Sequence, residues 1–255
     1  MVQKKISPER QAFKEKTLKE KFQFYWKYLK GHVIFWIIAA VVLIYMLINT
    51  ITAPVISLNG MMLNTGNGEK NQSVEQLIEK YIADEKLEIA PRNIVINDKL
   101  SYIPGDKSKD SPNLESSMAI LSQKEENQLD FIAGPLSAVE NLAYNAFFVN
   151  LKLILNEEQI AAYEPYFLYV DQTVIAELNE AFNEEKDISK IPIPDSTKPE
   201  EMEKPVPVMI DISKCEALSK VYKSAKEPLV FGVINGTPEQ ENTLQFLDYL
   251  MKLGE

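Results

Sequence analysis

Residues 229–250, LVFGVINGTPEQENTLQFLDYL, carry the pattern that decides the fold. LVFGVI is short, almost wholly apolar and rich in β-branched and aromatic side chains, which predicts a strand buried on both faces. Asn235-Gly236 turns the chain. Thr237-Pro238-Glu239-Gln240 then reads as a capping box with proline at the first helical position, opening a helix that runs through Leu253 and stops at Gly254. A strand covered on both faces and leading into a helix is a unit of an α/β fold.

The same alternation extends upstream. Residues 55–63 (VISLNGMML), 93–97 (NIVIN), 129–133 (LDFIA), 166–170 (YFLYV) and 207–212 read as strands. Between them, Ser73 and Gln76 form a capping box ahead of an apolar stripe of Val74, Leu77, Ile78, Tyr81 and Ile82. Further helices are predicted over residues 114–125, 136–148, 156–163, 173–184 and 215–223. Gly134-Pro135 ends the third strand. Five of the 14 prolines fall within residues 191–208, so 185–208 is expected to be an exposed, proline-rich excursion that cannot form a helix interior or a central strand. The expected architecture is a three-layer α/β domain with a mainly parallel sheet.

The formal net charge is −10, from 27 Lys+Arg and 37 Asp+Glu, but it is unevenly spread. Residues 1–31 hold nine Lys/Arg and three Glu, which leaves 18 basic against 34 acidic residues for the remainder. A main body so acidic would repel a phosphate backbone, which argues against a nucleic-acid partner. Between the two regions lies VIFWIIAAVVLIYMLI, residues 33–48, sixteen apolar residues without a break. No Asp, Glu, Lys or Arg occurs from residue 31 to 68. A helix over residues 33–53 would be about 30 Å long, the thickness of a bilayer core. A buried helix seldom stays apolar on every face for that length, and the 31 residues ahead of the run exceed an ordinary signal-peptide flank.

A transmembrane helix over residues 32–53 is therefore expected, with residues 1–31 cytoplasmic, by the excess of Lys and Arg before the span, and residues 54–255 extracytoplasmic. Trp26, with Tyr25 and Tyr28, sits where an interfacial aromatic belt belongs, and Trp36 and Tyr45 are further anchoring aromatics in the bilayer. Residues 11–30 have the spacing of an amphipathic helix. It reads either as a docking helix for a cytosolic partner or as a plain flank that sets orientation.

The available chemistry is narrow. His32 is the single histidine and lies at the membrane boundary, so the outer domain has no Ser-His-Asp or Cys-His system and no usual zinc ligands. Cys215, the single cysteine, has no partner for an intramolecular disulfide and reads as a small buried hydrophobe. Residues 66–70 (GNGEK) lack the spacing of a phosphate-binding loop. Adjacent carboxylate pairs such as Glu157/Glu158 point to different helix faces and make poor catalytic dyads. No catalytic residue, cofactor or metal is expected.

KEKFQFYWKYLKGH, the apolar run and PVISLNGMML together resemble single-pass membrane proteins of Firmicutes. The outer domain of these proteins is similar to the type 2 periplasmic solute-binding proteins of ABC transporters. LDFIAGPLSAVENLA, PVPVMIDISKCEAL and LVFGVINGTPEQENTLQFLDYL are the stretches that carry this likeness. It implies a reduced type 2 periplasmic-binding fold, a small-molecule ligand and ABC transporter subunits as partners. The second lobe would fit between about residues 151 and 204, and the anchor would be a helix rather than a lipidated cysteine.

The leading expectation is a non-enzymatic, membrane-anchored module that binds a ligand or partner outside the cell as accessory to an ABC-type transporter. The alternative is a structural or assembly protein of the envelope whose outer domain contacts another protein; a histidine-free hydrolase ranks third. In parallel α/β sheets ligands meet the carboxyl ends of strands. This rule selects Asn59, Gly134, Asp171 and Asn235 as the candidate ligand-binding residues, with Asn59, Asp171 and Asn235 expected at one opening.

Overall fold

A computed structural model describes residues 17–52, 56–66, 72–105, 113–223 and 226–254. The chain forms two compact units, Met1–Pro54 and Val55–Glu255.

Helix α1 (Leu18–Thr52) dominates the first unit. Thr17 and Glu20 close its start reciprocally: the Thr17 backbone N–H donates to Glu20 Oε2 at 2.9 Å and the Thr17 hydroxyl accepts from the Glu20 N–H at 3.4 Å. All but Ala39 of residues 34–47 are exposed, Trp36 and Tyr45 among them, and Trp26 stacks on Phe22 with ring centres 5.9 Å apart. Among the described residues no helix is long and apolar enough to cross a membrane. The side chains of Val33, Tyr25, Tyr28 and residues 48–52, and all of residues 1–16 and 53–55, lie outside the described residues.

The second unit is an α/β domain built on six strands: β1 (Leu58–Met62), β2 (Ile94–Asn97), β3 (Phe131–Pro135), β4 (Phe167–Asp171), β5 (Pro205–Asp211) and β6 (Leu229–Val233). Their order is β2-β1-β3-β6-β5-β4. Side chains alternate between two cores. Leu58, Met62, Phe131, Ala133, Phe231 and Val233 face α2 (Gln72–Asp84), α5 (Glu157–Tyr163), α7 (Glu216–Val221) and α8 (Gln240–Lys252). Met61, Ile132, Val170 and Val230 face α3 (Asn113–Glu125), α4 (Leu136–Tyr144) and α6 (Gln172–Asn183). Both faces of the sheet are covered, which is why its strands read as continuous apolar runs.

The expected mainly parallel sheet is corrected to a mixed one. β1 is parallel to β2 and to β3, whereas β3–β6, β6–β5 and β5–β4 are antiparallel. A strand buried on both faces has the same composition in either direction, so its residues do not report its neighbour's polarity.

The prolines also behave differently from expectation. Pro205 and Pro207 lie in β5, between β4 and β6. The ladder to β6 is confined to Ile210↔Phe231 and Asp211↔Val230, so the proline-bearing half is paired only with β4, and Val208 bulges where the β4 register shifts. A residue without an N–H is tolerated where no second neighbour needs one. The rest of the excursion shields the edge of β4, where the Tyr169 N–H donates to the Ser196 carbonyl at 2.8 Å.

The helix starts follow local chemistry in part. Asn156 and Gln159 form a reciprocal box ahead of α5, where a helix is expected over residues 156–163. Thr237 does not cap α8, which begins at Gln240; its hydroxyl donates instead to Asp130 Oδ1. Asp130 is buried, and its other carboxyl oxygen accepts the Asn59 N–H at 2.6 Å. One side chain thus ties β1, the entry to β3 and the approach to α8 together.

Candidate functional site: an uncharged groove at one end of the sheet

Strand direction determines which candidate residues meet. In β3, Phe131 pairs with Val233 and Gly134 with Val230, so the end of β6 lies at the start of β3. In β4, Asp171 pairs with Pro205, the first residue of β5. Asn59, Asp171 and Asn235 therefore share one end of the sheet, and Gly134 lies at the other. A Cβ on Gly134 would stand 3.1 Å from Leu63 Cβ and 3.2 Å from its carbonyl oxygen, which makes Gly134 a close-packing position.

Protein fills the crevice at Gly134's end, beyond the carboxyl ends of β1 and β3. The Asn64 carboxamide donates to the Tyr102 carbonyl and accepts from its N–H, both at 2.7 Å. The Thr65 hydroxyl donates to the Asp98 carbonyl, the Ser116 hydroxyl to that of Ser101, and the Tyr102 phenol to Asn141 Oδ1. Asn113 pairs with both the N–H and the carbonyl of Ile103. These bonds seat the loop after β2 over the strand ends.

The sheet opens at the other end. Below Ile210, β5 leaves β6, and the chain after α4 takes its place: Phe148 bridges Ile234, the Val149 N–H donates to the Val233 carbonyl and the Asn235 N–H to that of Phe147. Between this segment, α6 and the proline-bearing half of β5 lies a groove of about 480 Å³. Its apolar wall is Ala143, Ala146, Phe148, Val149, Leu153, Val170, Ile175, Ala176, Val206 and Val208, and its polar groups are Asn150, Gln172, Asn179 and Asn235. Among the described residues no ionisable side chain lines it. The size lies within the range of small-ligand sites, apolar with a few placed polar groups. Ala146, on its lip, holds φ at +56° in the turn that ends α4, where the Ala146 N–H donates to the Ala143 carbonyl and the Phe147 N–H to that of Leu142.

Each amide has a traceable position. Asn150 caps a short 3-10 turn, Leu151–Leu153, by accepting the Lys152 N–H. Gln172 and Asn179 are seven apart on α6, one above the other on the face that carries Ile175 and Ala176. Among the described residues, the carboxamides of Gln172, Asn179 and Asn235 have no hydrogen bond within the protein. Each offers a donor pair and an acceptor to a guest.

Asp171 supports the groove rather than lining it. It caps α6 by accepting the Thr173 N–H at 2.9 Å and also takes the N–H groups of Glu203 (2.7 Å) and Lys204 (3.1 Å). Burial alone would push its pKa up; the bonds from Glu203, Thr173 and Lys204 outweigh that and hold it below the ordinary carboxylate value. The phenol of buried Tyr144 is pushed up to about 12, by burial foremost, and remains protonated. Asn59 is engaged elsewhere, its carboxamide donating to the Gln128 carbonyl at 2.6 Å. Of the four candidates, Asn235 alone touches the groove, and Asp171 positions the helix whose first residue does. Gln172, Asn179 and Asn150 are additional site residues; the i, i+7 amide pair on an apolar helix face was the signal for two of them. Among the described residues, no cluster of three His, Cys, Asp or Glu could hold a metal ion. No family model, curated protein or solved structure matches this chain.

Proposed function

We propose that this chain is a non-enzymatic binding module, anchored in the cell membrane through residues 32–53, which presents residues 54–255 outside the cell as accessory to an ABC-type transporter. The observation that carries the binding role is the groove, with three carboxamides unpaired over an apolar wall and no charge among its lining groups, as far as the described residues go. Such a surface suits an uncharged ligand bearing amide or hydroxyl groups. A charged ligand would be desolvated there without a counter-charge. The exposed apolar side chains of α1 and the basic flank ahead of them support the anchor, since so large a hydrophobic surface needs a cover.

Full-length protein in detergent, titrated with a doubly blocked tripeptide amide or a neutral disaccharide, is expected to show NMR shifts at the side-chain amides of Gln172, Asn179 and Asn235. Ala176→Trp, an exposed position on the groove wall, should abolish those shifts while changing stability by less than about 0.5 kcal/mol. Absence of shifts with both probes would remove the reading. Co-purification with transporter ATPase and permease subunits is expected of the solubilised chain, and a purely structural role would yield envelope proteins instead. Cysteine labelling of intact cells at Ser189 should succeed and at Ser7 should fail. Buried Cys215 leaves that experiment a silent background, because burial first of all pushes its thiol pKa up.

A further inference from the structure

The region after residue 31 is acidic overall, yet one of its grooves is basic. Between α2 and α7, on the face of the sheet opposite the uncharged groove, lies an opening of about 670 Å³. Among the described residues, Lys80, Lys214 and Lys220 line it against a single carboxyl group, that of Glu216. Among the described residues none of these three lysines forms an ion pair, although Lys186, Lys198 and Lys252 pair with glutamates elsewhere. Lys214 is positioned: its ammonium donates to the Tyr166 hydroxyl at 2.9 Å and stands 4.6 Å from the centre of that ring. The Tyr166 bond, foremost, raises its pKa, so it stays cationic. The floor is apolar, formed by Leu77, Cys215 and Leu253.

Three ammonium groups along one groove repel one another. An anion placed among them reverses the sign of that interaction. No arginine is among the described residues that line the groove, so none of them offers the planar fork that matches a carboxylate. Compact, separately mounted ammonium groups suit the divergent oxygens of a phosphate. We propose that this groove is a second binding site, which takes a phosphate-bearing ligand. Lys80, Lys214 and Lys220 hold the phosphate, and a short apolar stem of the ligand rests on Leu77 and Leu253.

The same chemistry can arrive as a soluble phosphate ester or as an anionic lipid headgroup. Full-length protein in zwitterionic nanodiscs, titrated calorimetrically with glycerol 3-phosphate, is expected to bind saturably. Lys80→Gln/Lys214→Gln/Lys220→Gln should weaken binding at least about tenfold, and Lys220→Gln alone should weaken it less. Lys152→Gln/Lys186→Gln/Lys190→Gln, which removes the same charge elsewhere, should leave it unchanged. Binding to phosphatidylglycerol vesicles but not to glycerol 3-phosphate, with the same response to the variants, would identify the headgroup as the source. Failure of both probes to bind saturably, or equal losses in the two triple variants, would overturn the proposal. Neither result touches the uncharged groove, which none of these lysines lines.

Discussion

Phe131→Ala is expected to lower the stability of the folded domain by about 3–5 kcal/mol, the range for a fully buried phenylalanine whose cavity cannot collapse. Phe131 is 0% exposed on the central strand β3. Its ring stacks on Phe231 at 4.7 Å and 15°, and tilts against Phe246 of α8 at 5.4 Å. It also occupies the space that Gly60 leaves: a Cβ there would come within 2.1 Å of the ring. The ring therefore joins β1, β6 and a helix, and its neighbours are held by strand pairing that prevents them from closing the gap. Against a total of about 5–15 kcal/mol for a domain, the loss should leave a substantial unfolded population at 37 °C. Urea unfolding followed by far-UV circular dichroism measures it. A loss below about 1.5 kcal/mol would show that the stack relaxes freely. Gly60→Ala, which overpacks the same space, should also destabilise, and the pair should be non-additive because both act on one ring.

Asp171→Ala is expected to cost about 2–4 kcal/mol at pH 7, because three backbone N–H groups, from Thr173, Glu203 and Lys204, lose their acceptor together. The pH dependence separates this mechanism from simple loss of packing. The folded-state pKa of Asp171 lies below its value in the unfolded chain, about 3.9. Its contribution is therefore present in full above that value and is lost as the pH falls through the folded pKa. Wild type and variant should converge in stability at low pH, and the acid limb of the variant's stability curve should be shallower. A difference that is the same at pH 7 and pH 2 would mean that the charge-assisted bonds are not its source. Because Asp171 fixes both α6 and the return of the chain into β5, the variant should also disturb the uncharged groove at Gln172.

The described residues that line the groove come from α4, the loop after it, β4, α6, β5 and the turn after β6. They meet because β5 separates from β6 after two ladder pairs. Pro205 and Pro207 were visible as obstacles to a sheet. That they would sit in an inner strand and leave one side of it unpaired depends on how β4 and β6 flank it.

Local chemistry in the sequence determined the α/β character of the second unit, the place of each strand, the reciprocal cap at Asn156 and Gln159, and the acidity of this region. Each of these follows from apolar period, side-chain branching or a contact within a few residues, which the chain carries whatever it folds against. Tertiary structure alone decided the direction of β4, β5 and β6, the capture of Thr237 by Asp130 in place of a helix cap, the closure of the crevice by Asn64 and Tyr102, and the meeting of Asn235 with Gln172 and Asn179. Those outcomes join residues 19 to 107 positions apart. A doubly buried strand looks the same in either direction, and the competition among distant partners for one carboxyl group is settled only when the strands are in place.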